Sequence, residues 1–112
     1  MFYSLSVRLT PDEVTGIADA TKQTWPAGSR VLLFGSRTDD RRRGGDIDLL
    51  VETPQRLPAP QLVALRNRFT ARLFRLIGER RIDVLVAPSD PSGTDGPVIA
   101  SARAHAIELV RT

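Results

Sequence analysis

Apolar and polar residues alternate at two different periods along this chain, and the changes of period mark out its elements. Tyr3, Leu5, Val7 and Leu9 alternate with Ser4, Ser6 and Arg8, the period of two expected of an edge strand or arm. Thr10-Pro11-Asp12-Glu13 then reads as a helix start, with Thr10 as N-cap, Pro11 in the first turn and Glu13 closing a capping box. That helix runs to about Thr24, where Pro26-Ala27-Gly28 breaks it. Val31 to Phe34 is a short apolar strand stopping at Gly35-Ser36, and Arg37 to Gly45 is a polar loop or helical turn. A second strand is expected from about Asp46 to Glu52, followed by a connection marked by Pro54, Pro58 and Pro60. Leu62, Leu65, Phe69, Leu73 and Leu76 recur at helical spacing up to Gly78, which makes this the longest helix. Ile82 to Val86 is a third strand, Ala87 to Pro97 a loop, Val98 to about Ala104 a short helix, and Ile107 to Val110 a last strand. Strands and helices mixed in this way over 112 residues give one domain of the α/β (α+β) class.

Composition narrows the functions open to such a domain. No apolar run approaches the roughly 20 residues of a membrane span, and the alternating start lacks the charged lead and apolar centre of a signal peptide. A cytoplasmic protein with no membrane role is the expectation. The chain has no cysteine, so any metal would be held mainly by oxygen ligands, which favours magnesium or manganese. Net charge is only +3, but from Arg56 to Arg81 seven arginines stand against the single acid Glu79, a local balance of 7 − 1 = +6. That basic stretch is either a solvated helical face or a surface for nucleic acid or an acidic partner.

The candidate chemistry lies between the first and third strands. Nine residues separate Ser36 from Asp46-Ile47-Asp48, where two carboxylates fall on one face of a strand, roughly 7 Å apart along it. Ile47 and Leu49 point the other way, into the core. A Gly-Ser turn at a strand end can hold phosphate, and Arg37, next to Ser36, can add a guanidinium to it; Arg41, Arg42 and Arg43 are weaker candidates with Asp39 and Asp40 beside them. Asp83 sits among Ile82, Val84, Leu85 and Val86, where burying a lone carboxylate costs several kcal/mol unless a cation or an arginine such as Arg80 or Arg81 meets it. Were the third strand to pair beside the second, Asp46, Asp48 and Asp83 would converge, and one or two divalent ions would relieve their repulsion while assisting an in-line displacement. His105, the only histidine, reads as a surface or structural residue, and Trp25 as a cap on the core.

Taken together, Leu33-Phe34-Gly35-Ser36-Arg37, Gly44 to Val51 and Arg81-Ile82-Asp83-Val84-Leu85-Val86 resemble the minimal nucleotidyltransferases of the DNA polymerase β superfamily, including the small antitoxins paired with HEPN-domain proteins. The closing Pro97-Val98-Ile99, Ala102 and Ile107-Glu108-Leu109 resemble that family's last helix and strand, so the likeness covers nearly the whole chain from Leu9. It implies a mixed sheet with helices mainly on one face, phosphate contacts by Gly35 and Ser36, metal binding by Asp46 and Asp48, and activation of an acceptor hydroxyl by Asp83. It further implies ATP as substrate with Mg²⁺ or Mn²⁺, and adenylyl transfer to a tyrosine of a HEPN-type toxin partner. Larger members hold base and acceptor with an extra helical domain, so here the acceptor is expected from another subunit. Two alternatives stay open: an antitoxin acting by occlusion, and a protein that binds or modifies nucleic acid.

Overall fold

The computed structural model describes residues 9–34, 47–78, 81–89 and 96–112. The first helix, α1, spans Pro11–Thr24 and starts as the capping box requires: Glu13 N donates to Thr10 Oγ1 at 3.1 Å and Thr10 N donates to Glu13 Oε1 at 2.9 Å. Both donors would otherwise be orphaned at the helix end. Trp25 forms the C-cap, its N–H donating to the Thr21 carbonyl at 3.0 Å. The remaining elements are β1 (Arg30–Phe34), β2 (Ile47–Thr53), α2 (Ala59–Ile77), β3 (Ile82–Pro88), α3 (Pro97–His105) and β4 (Ile107–Arg111).

Most boundaries fall within a residue of the expectations, and two of the differences have a clear cause. Pro60 lies inside α2, in the first turn, where proline's missing N–H costs nothing. Ala87 and Pro88 continue β3 rather than opening a loop, which proline permits on an edge strand. Gly78 stops α2 with φ 93°, a left-handed value that glycine adopts without strain. The expected strand or arm at residues 1–8, the connection at 37–45 and most of the 87–97 loop lie outside the described residues.

The strands form one mixed sheet in the order β3-β2-β1-β4. β1 pairs antiparallel with β2 and β4, while β2 and β3 run parallel, joined through α2 as a βαβ unit. Alternation along β2 splits the core in two. Ile47, Leu49 and Val51 are fully buried on the side of α1 and α2, packed with Ile17, Phe69 and Leu73. Leu50 is buried on the other side with Leu32, Ala87 and Ala102, the last from α3. Among the described residues the helices thus lie mainly on one face, with α3 covering part of the second. Trp25 caps the larger core, 4% exposed and edge-on to Phe69 with ring centroids 5.5 Å apart.

Candidate functional site

The same alternation that buries Ile47 and Leu49 turns Asp48 to the face carrying Leu50, and its cross-strand partner in β3 is Asp83. Partners in adjacent strands point to the same side of a sheet, with backbones about 4.8 Å apart. Phe34, the last residue of β1, pairs with Asp48 from the opposite flank, so Phe34, Asp48 and Asp83 make one transverse row. Gly35, Ser36 and Arg37 follow Phe34 in the chain and Asp46 precedes Ile47; these four candidates lie outside the described residues. The row nevertheless joins acids that are 35 positions apart in sequence (83 − 48 = 35), through the parallel pairing that the βαβ unit creates.

The burial inferred for Asp83 does not hold. β3 is an edge strand, Asp83 is exposed, and Ile82, Val84 and Val86, which made its surroundings look apolar, belong to the α2 side. An apolar run of this kind reports one buried face and does not tell an edge strand from a central one. Among the described residues Asp83 forms no ion pair with Arg81; Arg80, the other partner expected for it, lies outside the described residues. β2 lies between β1 and β3, so Asp48 stands on a central strand and Asp83 on the edge strand.

One charged group on this face escaped the sequence reading. Glu52, four residues beyond Asp48 on β2, is only 2% exposed, and its two carboxylate oxygens accept hydrogen bonds from Arg30 Nε and Arg103 Nη1. Arg103 Nη2 also donates to the Pro88 carbonyl at 2.6 Å, so an arginine of α3 ties together the ends of β2 and β3. Arg30 Nη1 donates to Glu108 Oε1 at 2.8 Å, and Arg111 Nε and Nη2 donate to Glu108 at 3.0 and 2.9 Å. The hydrogen bond from Arg111 is the main cause holding the Glu108 carboxyl below the ordinary carboxylate range; partial burial opposes it and Arg30 adds to it. The Arg30 guanidinium is correspondingly raised, first by Glu52 and then by Glu108. The available signal was the period of two, which puts Glu52 on the Asp48 face. Its partners, 22 and 51 residues away, carry no such mark.

Asp48 and Asp83 are hard oxygen donors side by side on one face, a donor type that suits magnesium or manganese. Among the described residues no cluster of three or more metal-ligating side chains occurs, so a fuller set would have to draw on Asp46. His105 is exposed in the last turn of α3, away from any described cluster, in keeping with a surface role. Of the arginines on α2, Arg72 donates to Thr24 Oγ1 of α1 at 3.0 Å, which ties the two helices together. No described helix is long and apolar enough to cross a membrane.

A comparison with curated proteins gives no match to this chain. The family model described as the nucleotidyltransferase domain matches residues 14–100, well over half the length, from the first turn of α1 into α3. With its mixed sheet and paired acids on adjacent strands, the chain belongs to the nucleotidyltransferase domain family.

Proposed function

We propose that this domain transfers a nucleoside monophosphate, AMP from ATP, to a hydroxyl on a separate protein, and that the acceptor is a tyrosine of a HEPN-type toxin which the modification silences. The observation that carries this reading is the in-register placement of Asp48 beside Asp83 on one face of the sheet. Asp48, together with Asp46, would hold Mg²⁺ or Mn²⁺, while Gly35, Ser36 and Arg37 would bind the triphosphate. When bound, the metal would offset the negative charge gathered by carboxylates and phosphates. Asp83, exposed at the sheet edge, is accessible to an incoming acceptor and would take its hydroxyl proton. The acceptor oxygen then forms a bond to the α-phosphorus, the bond from that phosphorus to pyrophosphate breaks, and pyrophosphate leaves with the electron pair.

Co-expression with a HEPN-type protein encoded next to this chain, followed by intact mass measurement, tests the proposal. The expected mark is an addition of about 329 Da per AMP on the partner, absent when Asp48 is changed to asparagine. An unmodified partner in a stable complex would instead favour inhibition by occlusion.

A further inference from the structure

The outer side of β3 combines a strand edge that is unpaired among the described residues with a groove, and together they describe an occupant. Ile47 N donates to the Arg81 carbonyl at 3.0 Å and Ser89 N donates to the Thr53 carbonyl at 2.8 Å. In a parallel ladder each residue turns both its N–H and its C=O to the same side, so Asp83, Leu85 and Ala87 pair with β2 while Ile82, Val84 and Val86 turn theirs outward. Among the described residues no strand pairs with that outer side. Beside it runs an open groove of about 420 Å³, walled by Arg66, Thr70 and Phe74 of α2 and by Ile82, Asp83 and Val84 of β3.

We propose that this edge takes up a fifth strand: an extended segment of the acceptor protein, with a hydroxyl residue flanked by apolar ones and acidic residues at its ends. Unpaired backbone groups select an extended polypeptide over a helix or a nucleic acid, because main-chain hydrogen bonding supplies much of the affinity. Alternation in the added strand then sorts its side chains. One set drops into the groove against Phe74, Ile82 and Val84, which calls for apolar residues. The other set lies on the opposite face, and the residue across from Asp83 extends the row from Asp48 through Asp83, about 4.8 Å further on. A serine, threonine or tyrosine there stands beside the carboxylate that takes its proton. Arg66 in the groove wall and exposed Arg81 just before β3 complement acidic flanks, whereas a second copy of this chain would bring like-charged edges together.

The inference rests on the transferase reading for its last step: the hydroxyl oxygen bonds to the α-phosphorus of a nucleoside triphosphate, pyrophosphate departs, and the proton passes to Asp83. Docking itself needs no nucleotide, so the two are separable. The probe is a fluorescein-labelled peptide with a central tyrosine, valines beside it and aspartates at both ends, titrated into the full chain without nucleotide and followed by anisotropy. Saturable binding is expected, weakened about tenfold or more by N-methylation of alternate peptide amides and by Arg66→Glu. Val84→Pro removes an outward N–H while leaving the β2 ladder intact, and should weaken binding likewise, its fold checked by circular dichroism.

Absence of saturable binding, or equal binding of the N-methylated peptide, would overturn the docking. A dimer in sedimentation that Val84→Pro dissolves would assign the edge to a second copy, and displacement of the peptide by single-stranded RNA at lower concentration would assign the surface to nucleic acid; either result rejects the proposal. Adding ATP and Mg²⁺ then separates the two readings. Labelled peptide supports both, whereas bound but unlabelled peptide keeps the docking and counts against the transfer. Labelling of a protein partner that ignores Val84→Pro and Arg66→Glu keeps the transfer and overturns the docking.

Discussion

Replacing Glu52 with glutamine should destabilise this domain far more than a change of one surface charge would. Glu52 is 2% exposed, and each of its oxygens accepts from a different arginine. Glutamine keeps one acceptor but turns an amide donor toward the other guanidinium, so one charge-assisted bond is lost and the second keeps only its charged donor. The lost bond is worth about 1.5–3 kcal/mol and the downgraded one about 1 kcal/mol. Arg30 retains Glu108 and Arg103 retains the Pro88 carbonyl, and both reach water, their side chains being 36% and 19% exposed. The net cost is therefore about 2–3 kcal/mol, at the lower edge of what breaking a buried ion pair usually costs. For a domain of this length that lowers the melting temperature by roughly 10 °C. Thermal melts of the single variants and of Glu52→Gln combined with Arg103→Ala would show strong non-additivity, because both changes break the same contact. A drop under about 2 °C, or additive losses, would mean that the network behaves as a solvated surface cluster and does not tie β2, β3 and α3 together.

Asp83→Asn should leave metal–nucleotide binding nearly intact and slow transfer by about a hundredfold or more, whereas a purely structural role would instead lower the melting temperature and spare turnover. Phe69→Leu should cost about 1–3 kcal/mol through lost volume and the lost edge contact with Trp25, read from urea unfolding followed by the emission of Trp25, the only tryptophan. Glu108 has a folded pKa below its unfolded one, so its stabilisation is complete above the ordinary carboxylate pKa of about 4.3 and is lost as pH falls through the lower folded value. The difference in melting temperature between the wild type and Glu108→Gln should accordingly be constant above about pH 5 and shrink below about pH 4; a difference that grows on acidification would contradict the assignment.

Local signals in the sequence carried most of the element boundaries, because caps and periodicity act over a few residues. Thr10, Pro11 and Glu13 start α1 as their chemistry requires, and Gly78 ends α2 at a left-handed φ. The face that carries Asp48 was legible because Ile47 and Leu49 mark the buried side of β2 beside it. Its neighbour in space was a conditional inference, since the parallel pairing of β2 with β3 depends on how α2 packs over the sheet rather than on either strand alone. Asp83 was misjudged for a related reason. The apolar residues around it describe one face of β3, while exposure depends on the strand's rank in the sheet. Pro88 suggested a loop, yet proline is tolerated where no neighbour needs its N–H. Glu52 was missed because a buried carboxylate is legible only through partners far away in sequence.

The claim that Asp48 belongs to a metal–nucleotide site is tested most directly by calorimetric titration of ATP into the full chain, with Mg²⁺ and with a chelator, in the wild type and in Asp48→Asn. Saturable binding with Mg²⁺ is expected, weakened about tenfold or more both by the chelator and by the substitution, with the variant still folded by circular dichroism. Equal affinity with and without chelator, or an Asp48→Asn variant that binds ATP and Mg²⁺ as tightly as the wild type, would contradict the assignment of Asp48 to that site.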